Sequence, residues 1–259
     1  MTDATQDSLV TLIMAAGKGT RMKSHKAKVL HPICGRPMIQ YSVETAQALG
    51  SDRVIVVVGH QAEAVKDALK GCEVEFAEQR EQLGTGHAVL QAQPLLEEFN
   101  GTLLVLAGDT PLIQVASLRN LCDAHVRYRA AATILTAIMD DPSGLGRIVR
   151  DEGGQVIRIV EEKDATEQER VIREVNSSIY CFDIPLMFDA LMRITPDNKQ
   201  GELYLTDTIA ILRVAGEWVA CSIAENADDT TGINTVKDLE QADMIMQSRL
   251  GRQDFLGLS

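Results

Sequence analysis

The run Arg53-Val54-Ile55-Val56-Val57-Val58, closed by Gly59, constrains this chain more than any other feature. Five consecutive apolar, β-branched residues suit a strand buried on both faces, which belongs in a parallel sheet with helices on either side. Leu9-Val10-Thr11-Leu12-Ile13-Met14 leads into glycine-rich sequence, and Leu103-Leu104-Val105-Leu106 stops at Gly108-Asp109. Val74-Glu75-Phe76-Ala77 is a further short run, and residues 38–49, 61–69 and about 86–98 have helical spacing. Strand and helix in alternation predict an α/β fold, doubly wound around a mainly parallel, Rossmann-like sheet.

The second half changes character. Residues 147–150 and 156–160 flank Asp151-Glu152-Gly153-Gly154, a hairpin signal. A strand over 178–182 and a helix over 204–214 follow, and residues 235–250 read as one amphipathic helix before a short tail. The expected layout is a mixed lobe laid beside the parallel sheet with a substrate cleft between. Residues 1–234 would form the working domain and 235–259 an appended helix and tail.

Charge narrows the function. The chain of 259 residues carries a net charge of -12, which argues against nucleic acid or an anionic membrane as partner, since both need basic surface. Yet from Ser8 to Val43 there is no Asp or Glu, while Lys18, Arg21, Lys23, Lys26, Lys28 and Arg36 all fall inside. An acidic chain that clears acids from one stretch and fills it with cations reads as holding an anion site there, although a solvated basic turn has the same composition. The five cysteines are scattered without Cys-x-x-Cys spacing, so neither a disulfide framework nor a zinc site is expected. No signal peptide or membrane-spanning run is evident, and a cytoplasmic location follows as the expectation.

Met14-Ala15-Ala16-Gly17-Lys18-Gly19-Thr20-Arg21-Met22 lies at the carboxyl end of the first strand, where open α/β sheets bind ligands. Glycines and small residues let backbone N–H groups approach an oxyanion, and Arg21 and Lys28 can neutralise phosphate. The dinucleotide fingerprint fails because Met22 replaces its third glycine, and a Walker A loop fails because Met22 precedes Lys23-Ser24. Asp109 ends an apolar strand beside a glycine, a place suited to a hard cation such as Mg²⁺; alone, it reads equally as a turn residue before Pro111. Gln79 with Gln82-Leu83-Gly84-Thr85-Gly86-His87 could pair with a base edge, or simply start a helix.

Taken in order, these motifs resemble the sugar-phosphate nucleotidyltransferases, in particular the uridylyltransferase domain of bacterial N-acetylglucosamine-1-phosphate uridylyltransferases. The series continues through Gly-Leu-Gly-Arg-Ile, Ile-Val-Glu-Glu-Lys-Asp-Ala, Gln-Gly-Glu-Leu-Tyr-Leu-Thr-Asp and Gly-Ile-Asn, spanning Met14 to Asn234. The resemblance implies that Ala15, Ala16, Gly17, Gln79, Gly84 and Thr85 bind the nucleotide, and that Arg21 and Lys28 act on the phosphates. It implies Asp109 and Asn234 as Mg²⁺ ligands, and Gly146, Glu161, Asn176, Tyr204 and Thr206 as the sugar site of the mixed lobe. The implied reaction joins UTP and N-acetylglucosamine 1-phosphate, with release of pyrophosphate, in cell-wall precursor synthesis. A phosphate monoester is largely ionised at neutral pH, its second pKa near ~6, so it can attack without a general base. His31 and His87 then need only pack or hydrogen-bond.

Three residues depart from the family pattern. Ala27 replaces a proline before Lys28 and is expected to loosen that loop; Leu145 replaces a tyrosine and Ser178 a glycine beside the sugar positions. Hexapeptide repeats of an acetyltransferase are absent, so that second activity is not expected, and the usual reason to expect a trimer goes with them. Oligomeric state is left open. The competing readings are the same reaction with another sugar 1-phosphate or base, and a non-catalytic sugar-nucleotide-binding protein.

Overall fold

The valine run lies within a large sheet in the computed structural model of the chain, which describes residues 8–22 and 24–256. The polar residues 1–7, Lys23 and the last three residues of the expected tail fall outside that description. The first half contains β1 (Leu9–Ala15), β2 (Pro32–Ile33), β3 (Arg36–Pro37), α1 (Met38–Leu49), β4 (Arg53–Val58), α2 (Ala62–Ala68), β5 (Glu75–Glu78), α3 (Thr85–Leu90), α4 (Gln93–Leu96), β6 (Thr102–Ala107) and α5 (Val115–Tyr128). Then come β7 (Ala132–Ile138), β8 (Arg147–Arg150), β9 (Val156–Val160), α6 (Glu167–Arg170), β10 (Glu174–Asp183), α7 (Ile184–Leu191), α8 (Asp207–Val214), β11 (Val219–Ile223) and α9 (Val236–Leu256).

The sheet runs β11-β7-β10-β6-β1-β4-β5, with β8 joined to β10 and β9 to β8 as the expected hairpin. β6, β1, β4 and β5 are parallel, so their carboxyl ends share one edge. β10 runs antiparallel between β6 and β7 and carries the sheet on without a break. Successive residues feed opposite cores. Ile55, Val57, Leu103 and Val105 meet α3, α4, α7 and α8, while Val54, Val56, Val58, Leu104 and Leu106 meet α1, α2 and α5. Each such side chain contributes roughly 1.5–3 kcal/mol on burial, which is why five apolar residues in a row specify an interior strand. The fold is therefore the doubly wound α/β sheet that the alternation predicts.

One predicted element breaks. The helix expected over 86–98 is two short helices, α3 and α4, because Pro94 has no N–H to continue the ladder and instead sits in the first turn of α4. At the chain's other end, α9 lays Ala242 and Met246 over Ile33, Met38, Tyr41, Leu112 and Ile233. No helix among the described residues is long and apolar enough to cross a membrane.

Candidate active site

The loops after β1, β4 and β5 touch at the shared carboxyl edge, and small residues make the contact possible. A Cβ on Gly59 would lie 2.8 Å from Ala16 Cβ and 2.8 Å from Gln79 O. His60 N donates to Ala16 O at 3.1 Å, and Gln79 N to Val58 O at 2.8 Å. Ala15 and Ala16 are buried, whereas Gly17 is exposed and a Cβ there would meet nothing within 4 Å, leaving its backbone open to an incoming group. Gly19 takes φ 62, and a Cβ on it would lie 2.5 Å from Lys28 Cβ. Glycine is needed there on both counts, so that the loop can pass beside the Lys28 stem.

Four of the predicted residues converge although they are far apart in the chain. Lys28 Nζ pairs with Asp109 Oδ2 and donates to Asn234 Oδ1 at 3.1 Å. Arg21 Nη2 donates to the same Asn234 oxygen at 2.8 Å. The lysine stem and Asp109 side chain are each only 16% exposed, so the pair is partly shielded from water. Asp109 and Asn234 thus offer two oxygens to one cation, here the Lys28 ammonium. Hard oxygen donors of that kind suit a divalent ion such as Mg²⁺, and the residues present fit such a group.

Gln79 is buried, and its Nε2 donates to Gly84 O at 3.0 Å and lies 3.1 Å from His87 Nδ1. The turn it braces lies against the segment before α8: Leu203 N donates to Leu83 O and Gly86 N to Leu203 O, both at 2.8 Å. Gly84 takes φ 117, and a Cβ there would come 2.5 Å from Leu203 O, so this turn requires glycine. Thr85 Oγ1 accepts from Leu205 N at 3.0 Å. That bond ties this turn to the segment carrying Tyr204 and Thr206.

Four of the five predicted sugar residues also meet, and the fifth, Tyr204, turns its hydroxyl to Gln200 and Asp164. Asn176 N donates to Gly146 O at 2.9 Å, and Thr206 Oγ1 to Glu161 Oε1 at 3.1 Å. A Cβ on Gly146 would lie 3.5 Å from Asn176 Cβ and 3.6 Å from Glu161 Oε1. Burial pushes the Glu161 carboxyl above its ordinary range; the Thr206 hydroxyl opposes this, and Asp207, Asp164 and Glu202 add to it. The Tyr204 hydroxyl accepts from Gln200 Nε2 at 2.6 Å, and burial first, then nearby carboxylates, push it up to about 12. Ser178, where glycine is expected, takes φ 63 at the irregularity in β10, and its N–H donates to Asn176 Oδ1 at 3.1 Å.

The molecule is thus a doubly wound α/β protein with two cations and an acid–amide pair gathered at the carboxyl edge of its sheet. The chain belongs to the nucleotidyl transferase family, whose pattern matches residues 10–246. It is 50% identical over 242 residues to the bifunctional protein GlmU of Geobacillus thermodenitrificans, covering 93% of this chain and 52% of that protein. Against the GlmU of Syntrophotalea carbinolica the figures are 50% over 244 residues, 94% and 52%. The chain therefore spans about half the length of the curated relatives it matches. A solved structure of UDP-glucose pyrophosphorylase complexed with UDP-glucose shares the fold, with a TM-score of 0.75 at 21% identity over 93% of this chain and 99% of that one.

Several residues besides the predicted ones shape the site. Asp238 Oδ2 accepts from Asn234 N at 2.9 Å and Thr235 N at 2.8 Å, while Thr235 Oγ1 accepts from Asp238 N at 3.2 Å. The Thr-x-x-Asp spacing is a helix-capping signal, so this one was legible. Tyr180, whose hydroxyl accepts from Asn176 Nδ2 at 2.7 Å, gives no such signal, because only the irregularity in β10 brings it round. Arg147 is 1% exposed, pairs with Glu162 and also holds Leu145 O, which fixes the backbone leading into Gly146.

Proposed function

We propose that the chain transfers UMP from UTP to N-acetylglucosamine 1-phosphate, giving UDP-N-acetylglucosamine and pyrophosphate. The convergence of Arg21, Lys28, Asp109 and Asn234 at the edge beside the open Gly17 backbone carries this reading. The resemblance of the motif series to the uridylyltransferases supplies the uridylyl and N-acetylglucosamine parts of it, and the similarity to GlmU proteins supports it. The backbone of Ala15, Ala16 and Gly17, with Gln79, Gly84 and Thr85, holds the nucleotide. Gly146, Glu161, Asn176, Tyr204 and Thr206 hold the sugar. Residues 1–234 carry the reaction, with 235–259 appended, in the cytoplasm, where the product serves as a cell-wall precursor.

The sugar phosphate, already ionised, attacks the α-phosphate of UTP, and its new bond replaces the bond to pyrophosphate. Lys28 and Arg21 orient the phosphates and neutralise charge that grows on the leaving group. Asp109 and Asn234 would hold Mg²⁺, which when bound supplies further charge neutralisation across the phosphates. Lys28 must leave Asp109 to reach a phosphate, so the pair keeps the cation partly shielded until an anion arrives.

Pyrophosphate release from UTP and Mg²⁺ tests the reading with N-acetylglucosamine 1-phosphate, glucose 1-phosphate and N-acetylgalactosamine 1-phosphate compared. A clear preference for the first is expected. Removing one such charged donor typically costs about 10²–10³ in kcat, so Lys28→Ala should lose about that much. Preference for another sugar would move the substrate to that sugar, and binding of UDP-sugars without any turnover would favour a non-catalytic binding protein.

A further inference from the structure

Residues 25–27, immediately before Lys28, are gripped by one side chain for which the reaction itself has no use. Gln61, at the start of α2, takes φ 56 and ψ 41, the left-handed region that side-chain-bearing residues avoid. From there its amide spans the loop. Gln61 Oε1 accepts from Ala27 N at 2.8 Å, and Gln61 Nε2 donates to His25 O at 2.6 Å.

Those contacts fall at a sensitive place. Ala27 is fully buried, and its N–H needs a partner away from water. Its φ of -53 and ψ of 138 start the short 3₁₀ turn Lys28–Leu30, in which Leu30 N donates to Ala27 O at 3.0 Å. Lys28 is therefore the next residue after one held through both its N–H and its C=O. Ala27 was expected to loosen this loop. Its N–H, which a proline would lack, is the group Gln61 holds.

We propose that Gln61 is a positioning residue for Lys28, locking the 25–27 backbone so that the lysine ammonium is delivered to the phosphates. This rests on the phosphate role of Lys28 proposed above. A backbone strained at Gln61 for the sake of two bonds to another loop fits such a role.

Gln61→Gly accepts the left-handed backbone but removes the amide, and Ala27→Pro fixes φ near the observed value while removing the N–H. Gln61→Gly should lower the melting temperature only modestly, since relief of the left-handed backbone offsets part of the lost bonds, and lower kcat roughly five- to tenfold, with KM for the sugar phosphate little changed. Adding Ala27→Pro should restore most of that loss, since proline supplies the restraint and needs no acceptor. In the ligand-free protein, the Ala27 amide should exchange with solvent much faster in Gln61→Gly than in the wild type.

Wild-type kcat in Gln61→Gly, a loss that Ala27→Pro does not recover, or unchanged exchange at Ala27 would each overturn the proposal. Full turnover by Lys28→Ala would instead overturn the phosphate role of Lys28. The lock on the loop would still be decided by the exchange measurement, which needs no activity.

Discussion

Ser178 has a side chain where the backbone, at φ 63, favours none. Left-handed geometry costs a non-glycine residue roughly 1–2 kcal/mol, partly offset by the greater chain entropy that glycine loses on folding. Ser178→Gly is therefore expected to raise stability by roughly 0.5–1 kcal/mol, read as a higher denaturation midpoint at unchanged m-value. An unchanged midpoint would show that the strain is compensated locally. Glu161 makes the complementary case. Its folded pKa lies above the unfolded value near ~4.3, so the folded protein binds the extra proton between the two values and gains stability as pH falls through the folded one. At neutral pH the raised pKa is therefore a cost to stability. Glu161→Gln should melt higher there while weakening sugar binding, and the stability gain should vanish by about pH 4. A gain that persists at that pH would mean charge is not its cause.

At the scale of elements, α9 starts with a capping box whose acid also holds the Asn234 backbone. Asp238→Ala should cost about 1 kcal/mol of stability as a lost cap. By loosening Asn234 it should also raise the Mg²⁺ concentration needed for half-maximal rate, roughly tenfold. A stability loss with unaltered Mg²⁺ dependence would confine Asp238 to the helix. The elements also show what the sequence makes legible. α1 and β4 fall at the expected boundaries, because an unbroken amphipathic stretch and an unbroken valine run each admit one conformation. β7 and β11 are not singled out by pattern, since Thr133, Thr136 and Ser222 interrupt the apolar runs and only sheet pairing makes them strands. The residues proposed for the site are legible as motifs in a fixed order. Gln61 is not, because it acts on a loop 34 residues away, and neither is Tyr180, which only the irregularity in β10 brings to Asn176.

For the whole molecule, β10 decides how the two halves behave together. It pairs Tyr180 with Val105 of β6 and with Ile134 of β7, so the parallel half and the mixed half share hydrogen bonds along one strand. The chain's single tryptophan, Trp218, lies just before the edge strand β11, far along the sheet from β5. Its fluorescence and the far-ultraviolet dichroism should therefore report one coincident thermal transition. Two separated transitions would show that the halves unfold independently.

The same strand sets a limit on what the proposed reaction can accommodate. With β10 bonded on both sides, the parallel and mixed strands of the sheet are held in one plate, ~4.8 Å between neighbours. A substrate pair with a different reach cannot be met by swinging one half toward the other. It would have to be met by rebuilt loops along the rim, so changes in substrate range should accumulate in those loops and leave the plate untouched.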